Sequence, residues 1–247
     1  MAPGVSVIIP VYNRAHFLEP AIASVREQQW PNVELIIIDD GSSDGSAELA
    51  QQLAPEALVI ERENGGPGAA RNSGLAVATG YYIAFLDVDD LWPNDKLSRQ
   101  IARLESDHSL DFIVGRIQLD LMEGGQDMGV TYEEPDAMIT TFFQFGAGLF
   151  RSHAFAAAGP ISETLKDSED HDWFLRAKEA GLSWTCEQEI GLIYRRHPGN
   201  MTQPRPLNET SLFQVIASSL SRRRAAAGTS AVPPLDRLSD RRFGEQH

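Results

Sequence analysis

The sequence predicts an α/β protein built on a mostly parallel central sheet with helices on its faces. Three observations carry that reading. Short β-branched apolar runs alternate with amphipathic stretches over the first 105 residues. The runs lack an apolar–polar alternation, as strands buried on both faces require. They end in polar clusters rather than in two-residue hairpin turns.

Val5 to Pro10 reads as the first buried strand, with Tyr12-Asn13-Arg14 as the loop behind it. A helix is expected from about Phe17 to Gln29, with Leu18, Ile22 and Val25 on one face. Leu35 to Ile38 forms the second strand and closes at Asp39-Asp40-Gly41-Ser42-Ser43-Asp44. Asp44 suits the N-cap of the next helix, which carries Leu49 and Leu53 four apart. Leu58-Val59-Ile60 is the third strand, and Gly65-Gly66-Pro67-Gly68 opens a helix from Ala69 to about Val77. Tyr81 to Leu86 is the fourth, ending at Asp87-Val88-Asp89-Asp90. Ligands of such sheets bind beyond the carboxyl ends of the strands, so these polar tips are expected to converge on one site.

The second half is less regular. Leu97, Ile101 and Leu104 mark a helix, Phe112-Ile113-Val114 a strand, and Glu169 to Ala180 a helix stopped by Gly181. Residues 120–136 read as a mobile Gly- and acid-rich connection, and Leu212, Val215, Ile216 and Leu220 as one short helix before a frayed tail from Arg222. The expected organisation is one domain over 1–205, split into a half over 1–105 and a half over 106–205, followed by a helix and basic tail over 206–247.

Length and composition bound the function. The 247 residues are 42% hydrophobic and 23% charged, which excludes a disordered or disulfide-stapled chain. The single cysteine, Cys186, has no disulfide or zinc partner, and it fits a reducing, cytoplasmic compartment as a small buried hydrophobe. No signal peptide is expected, and no apolar run reaches the roughly 20 residues of a membrane span. From Arg195 onward nine arginines face four acids, a net +5, whereas the preceding 194 residues hold 12 basic and 31 acidic side chains, a net −19. An acidic body of that size argues against a nucleic-acid partner. An anionic small substrate remains compatible if a divalent cation neutralises it.

Asp87 and Asp89 stand two apart at a strand end and project to the same side if extended backbone continues. Two adjacent carboxylates are costly without a proton or cation between them. Oxygen donors beside an open loop suit Mg²⁺ or Mn²⁺ with a nucleotide diphosphate completing the shell. The alternative is a solvated acidic turn in which Asp90 caps the next helix.

Val7-Ile8-Ile9-Pro10-Val11-Tyr12-Asn13, Ile38-Asp39-Asp40-Gly41-Ser42-Ser43-Asp44, Asn64-Gly65-Gly66-Pro67-Gly68-Ala69-Ala70-Arg71-Asn72, Asp87-Val88-Asp89-Asp90 and Glu169-Asp170-His171-Asp172-Trp173 follow one another in an order that resembles the family 2 glycosyltransferases. The likeness runs from about Val5 to Thr202. It implies a GT-A fold, that is, a Rossmann-like mostly parallel sheet with a less regular acceptor-side half. It also implies a nucleotide-diphospho-sugar donor, UDP-linked by preference, Mn²⁺ or Mg²⁺, and inversion at the anomeric carbon. By position, Pro10, Tyr12 and Asn13 would line the nucleoside pocket and Asp40 would bond the base. Arg71 would approach base or diphosphate, Asp87 and Val88 would face ribose or sugar, and Asp89 would hold the metal. Asp170 matches the general base, and His197, in Arg195-Arg196-His197, is a metal or phosphate ligand by the same likeness.

Other readings of these residues stay open. Glu169 or Asp172 could serve as base instead of Asp170, which could merely cap its helix. Of Asp39 and Asp40 only one can reach the pocket, because adjacent strand residues face opposite ways. Trp173 reads as packing. The enzyme rival is a dinucleotide-dependent oxidoreductase, since Gly66-x-Gly68 precedes a helix, but Glu61 to Asn64 spoil the tight turn that motif needs. A non-catalytic nucleotide-sugar-binding relative is the rival of another class. A saccharide or lipid-linked acceptor would place the protein in surface polysaccharide or glycolipid assembly. Arg222-Arg223-Arg224 with Arg237, Arg241 and Arg242 would then favour peripheral contact with anionic lipid at the inner membrane face.

Overall fold

The computed structural model describes residues 3–122, 139–140, 143–200 and 210–227. The first half alternates strictly: β1 (Val5–Val11), α1 (Ala15–Arg26), β2 (Val33–Asp39), α2 (Ser46–Leu53), β3 (Leu58–Glu61), α3 (Pro67–Val77), β4 (Tyr82–Phe85) and α4 (Lys96–Ser106). The second half holds β5 (Phe112–Leu121), β6 (Ile139–Thr140), a 3-10 turn over Phe145–Ala147, β7 (Gly148–Arg151), α5 (His153–Ala158), α6 (Glu169–Glu179), β8 (Trp184–Arg196) and α7 (Leu212–Ala227). One eight-stranded sheet runs β3-β2-β1-β4-β7-β5-β6, with β8 on β5. The β1–β2, β1–β4, β2–β3 and β5–β8 pairs are parallel, and β7 is antiparallel to both its neighbours.

β1 is central, and five of its seven residues are apolar and buried, as a strand covered on both faces demands. Pro10 is tolerated there because the β4 ladder stops at Ile8↔Phe85, so the missing N–H falls where the two strands part. α3 starts two residues earlier than expected because Pro67 fits the first helical position. Five residues separate β3 from α3, so the dinucleotide-type tight turn is absent. Asp44 is not the N-cap of α2. Gly45 holds that position in the left-handed region, and the Asp44 carboxylate accepts from Ser46 N at 3.1 Å and from Ala15 N at 3.0 Å, tying the starts of α1 and α2 together.

β8 has no counterpart in the sequence reading. Its pairing with β5 slips between Val114 and Ile117, where Cys186 and Ile190 to Leu192 face them, so Glu187 to Glu189 bulge out of register. The Glu187 carboxylate turns to Arg99 and Gln100 on α4. Phe85, Phe112, Phe145, Phe150, Phe155 and Trp173 form an aromatic core under this half of the sheet, and Trp173 is fully buried in it, as expected of a packing residue. That core fixes α6 against the sheet. The connection expected over 120–136 lies outside the described residues from 123 on. α7 runs past Arg222, which the sequence placed in a frayed tail, because Arg222 bonds Glu179 at 2.6 Å instead of facing solvent.

Gly68, in the first turn of α3, abuts the loop before α6, where a Cβ would stand 2.1 Å from the Ser162 carbonyl oxygen. Gly68→Ala gains at most about 1 kcal/mol of helix propensity. It loses more by forcing two backbones apart, about 1–3 kcal/mol. We expect a lower thermal midpoint in calorimetry, and an unchanged or raised one would show that the loop yields freely.

Candidate active site

The tips of β1 and β2 are locked to each other. Asn13, in the left-handed region at φ 50°, donates its N–H to Ser42 Oγ and accepts from Ser43 N through Oδ1 at 2.8 Å. Asp39 accepts from Gly41 N and Ser42 N and so closes the turn. Asp40 is the partner that faces the glycine loop, accepting from Gly65 N, Gly66 N and Arg62. The expected split between the two aspartates therefore holds. Tyr12 is 49% exposed beside them, and Pro10 is half-buried between buried Ile9 and Val11.

Beyond β4 the backbone does not stay extended. Asp90 N donates to the Asp87 carbonyl at 2.9 Å, and the resulting turn sends Asp87 and Asp89 in different directions. The expected same-side pair is thereby corrected. Asp87 accepts from Arg71 at 2.5 Å, and the other terminal nitrogen of Arg71 donates to Glu169 at 2.6 Å. Arg71 is buried, so its fork binds the β4 tip to the start of α6 rather than standing open to solvent. Burial pushes the Asp87 and Glu169 carboxyls up, against the pull of Arg71. Val88 packs its side chain into the core, which leaves only main-chain atoms for a ligand.

Asp89 turns toward the end of β8. Its Oδ2 lies 3.1 Å from His197 Nε2 and 3.5 Å from Asn200 Nδ2. Arg195 Nε donates to the Asp89 carbonyl at 2.5 Å, with its guanidinium over the Phe17 ring, and Leu91 exchanges two backbone bonds with Ile193. Asp90 caps no helix. It is fully buried and accepts from Arg195 N at 3.0 Å, while Asp95 holds the N-cap position of α4. Arg14 donates to the Gly199 carbonyl, bringing the β8 end back over the β1 loop.

Asp170 sits in the first turn of α6, behind Ser168 at φ 64°. Its Oδ1 accepts from His171 N at 2.7 Å and meets His171 Nδ1 at 2.8 Å. That hydrogen bond is the main reason why His171 titrates above its ordinary value. Glu169 is spent on Arg71, and Asp172 on Arg176 and Arg222. Among the described residues, Asp170 is the one acid of the three with no arginine in salt-bridge range. Arg71 joins Asp87 to Glu169, so the β4 tip and the start of α6, which carries Asp170, meet at one place. Two of the three non-glycine left-handed residues described, Asn13 and Ser168, border it, as backbone strain at working sites commonly does. Asn200 and His171 were given no role from the sequence: Asn200 stands in no motif, and His171 is flanked by the acids that drew the assignment. Among the described residues no three His, Cys, Asp or Glu side chains form a metal cluster by themselves.

The sequence profile described as Glycosyl transferase family 2 matches residues 6–158, more than half of the chain. The chain belongs to this family. This glycosyltransferase is 44% identical over 103 residues to a Bacillus subtilis protein described as putative teichuronic acid biosynthesis glycosyltransferase TuaG, covering 40% of this chain and 41% of that one. It spans about half or less of the length of the first curated relatives it matches. Its fold is that of Staphylococcus aureus TarS 1–349 in complex with UDP-GlcNAc, with a TM-score of 0.69 at 20% identity over 90% of this chain and 66% of that one. A mannosyltransferase, PcManGT of Pyrobaculum calidifontis in complex with GDP-Man and Mn²⁺, superposes with a TM-score of 0.62 at 18% identity over 95% of this chain and 67% of that one. The family 2 enzyme therefore has a GT-A fold. Among its described residues no helix is long and apolar enough to cross a membrane.

Proposed function

We propose that the enzyme is inverting and metal-dependent, moving one sugar from a nucleotide-diphospho-sugar, a UDP-sugar by preference, to a hydroxyl of a saccharide or lipid-linked acceptor. The observation that carries this reading is the division of its acids into two sets. Asp89 turns to His197 and Asn200, whereas Asp170 stands with His171 at the start of α6. Inversion demands in-line displacement, so the proton acceptor and the groups that neutralise the leaving diphosphate belong on opposite sides of the sugar.

Asp170, held through Oδ1 by His171, takes the proton of the attacking hydroxyl on Oδ2. Pro10, Tyr12, Asn13 and Asp40 face the nucleoside, and Asp87 with the main chain of Val88 faces ribose or sugar. Arg71, with both terminal nitrogens on carboxylates, holds Asp87 in place rather than reaching the nucleotide itself. Asp89 and His197 fit a divalent cation, since a carboxylate oxygen and an imidazole nitrogen converge within 3.1 Å and leave most of a shell to diphosphate oxygens. When bound, Mn²⁺ or Mg²⁺ supplies the positive charge that the departing diphosphate needs. The Mn²⁺ held by PcManGT supports that assignment.

Residues 1–105 form the donor half and 106–205 the acceptor half of this reading, with 206–247 as the C-terminal helix and tail. The name of the Bacillus relative supports a place in surface polysaccharide or glycolipid assembly. We assign the enzyme to the cytoplasm, peripheral at the inner membrane face through its basic tail. A thermal-shift panel of UDP-, GDP- and dTDP-sugars, each with and without Mn²⁺, tests donor class and metal together. Ligand at about 100 times its Kd adds roughly 2.7 kcal/mol, which raises the midpoint by several degrees. The expected shift comes from a UDP-sugar with Mn²⁺ and from neither alone. A panel with no shift under any pairing removes the reading.

A further inference from the structure

α7 is turned inside out for a helix on a water-soluble body. It docks on α6 through polar groups: Ser219 Oγ donates to Glu179 at 2.5 Å, and Arg222 bonds Glu179 at 2.6 Å and Asp172 at 3.4 Å. Val215 is its fully buried apolar side chain on that face. The opposite face is apolar and open. Phe213 is 59% and Ile216 43% exposed, Leu220 is half-buried one turn on, and exposed Arg224 continues the same stripe. Exposed large side chains elsewhere on the described residues are scattered singly, as on most surfaces, but these two share one helix face.

We infer that this outward face of α7 is a docking surface for an anionic lipid bilayer, lying in the plane of the interface with Phe213, Ile216 and Leu220 toward the acyl chains. Charge decides the occupant. The body before Arg195 carries −19 and is repelled by anionic lipid, whereas α7 holds three arginines and no acid, with exposed Arg224 in line with the apolar stripe. An apolar stripe that ends in arginine is the pattern of a helix resting on a charged membrane surface. Each arginine near such a surface raises partition roughly fivefold. The inference rests on the membrane-apposed reading above, but it assigns the contact to α7 rather than to the arginines of the tail.

Flotation of the full chain with vesicles of phosphatidylcholine alone, or of phosphatidylcholine mixed with anionic phosphatidylglycerol, tests it. The intact protein is expected to float with the anionic vesicles only. Phe213→Ser with Ile216→Ser should cut partition on the order of tenfold or more, because both buried side chains are lost from the interface. The thermal midpoint should hold, since both side chains already face solvent. Flotation of that double variant like the parent, with loss only in Arg237→Ala/Arg241→Ala/Arg242→Ala, would overturn the α7 surface and leave the tail reading standing. No flotation of the parent overturns both. A dimer in light scattering that the serine variant dissolves, without lipid binding, would assign the face to a second copy instead.

Discussion

Asp170→Asn lowers kcat by about 10²–10⁴-fold while donor affinity stays as it was, the loss that removal of a positioned general base produces. The proposed base is this residue because of the company its neighbours keep. Glu169 accepts from buried Arg71, and Asp172 is clamped by Arg176 and Arg222, so both are already engaged by arginine. Asp170 has His171 as its partner, on one oxygen only. That partner also sets the pH dependence. Its hydrogen bond to Asp170 raises the His171 pKa, so the imidazolium–carboxylate pair persists above the ordinary histidine value. Below the raised pKa the imidazolium holds Asp170 in an ion pair; above it the proton leaves and kcat/KM rises. The same pairing stabilises the fold fully below about pH 6.5 and is lost as pH rises through the folded value. Steady-state rates across pH, with a thermal-shift donor titration, check both statements. His171→Asn should move the acid limb down. Turnover by Asp170→Asn at the parent rate would mean that Asp170 is not the base, whereas donor binding with no turnover in the parent would favour a binding protein.

The first half of this fold is legible because β1, β2 and β4 are largely buried on both faces and their tips break the apolar run with aspartate or asparagine. Val5–Val11, Val33–Asp39 and Tyr82–Phe85 follow from that contrast alone. β8 was not legible, since two irregularities in its pairing with β5 push Glu187, Gln188 and Glu189 into what should be a strand and erase the period of two. Yet β8 delivers Arg195, His197 and Asn200 to Asp89, so half of the site depended on an element that pattern reading could not see. The turn over Asp87–Asp90 misled for a related reason. Strand alternation was extended past Phe85, where the chain already folds back on the Asp87 carbonyl. The inversion of α7 escaped as well, because apolar spacing locates a helix but says nothing of which side its ion pairs will hold.

Arg71→Met destabilises the enzyme by about 3–5 kcal/mol, the penalty for leaving buried charges without their partner. For a chain of this size that is a fall of roughly 10 °C in thermal midpoint. The argument turns on where Arg71 stands. It is buried, with one terminal nitrogen on Asp87 and the other on Glu169, and its charge is the main influence opposing the burial of those two carboxyls. Methionine fills the space but supplies no donor, so both carboxylates must either stay charged in a dry site or take up protons. They take up protons. Their folded pKa values then lie further above the unfolded ones than in the parent, and the folded state binds more protons than the unfolded state. Stability of the variant therefore falls as pH rises beyond the ordinary carboxylate range and recovers as pH drops toward it. Calorimetry at pH 5 and pH 8 should show the larger deficit at pH 8. Arg71→Lys keeps the charge but only one of the two directed contacts, and should recover part of the stability at both pH values. A deficit that does not depend on pH would show that Arg71 acts by packing over Phe145, 5.6 Å from its guanidinium, and not by holding the acids of the β4 tip and of α6 together.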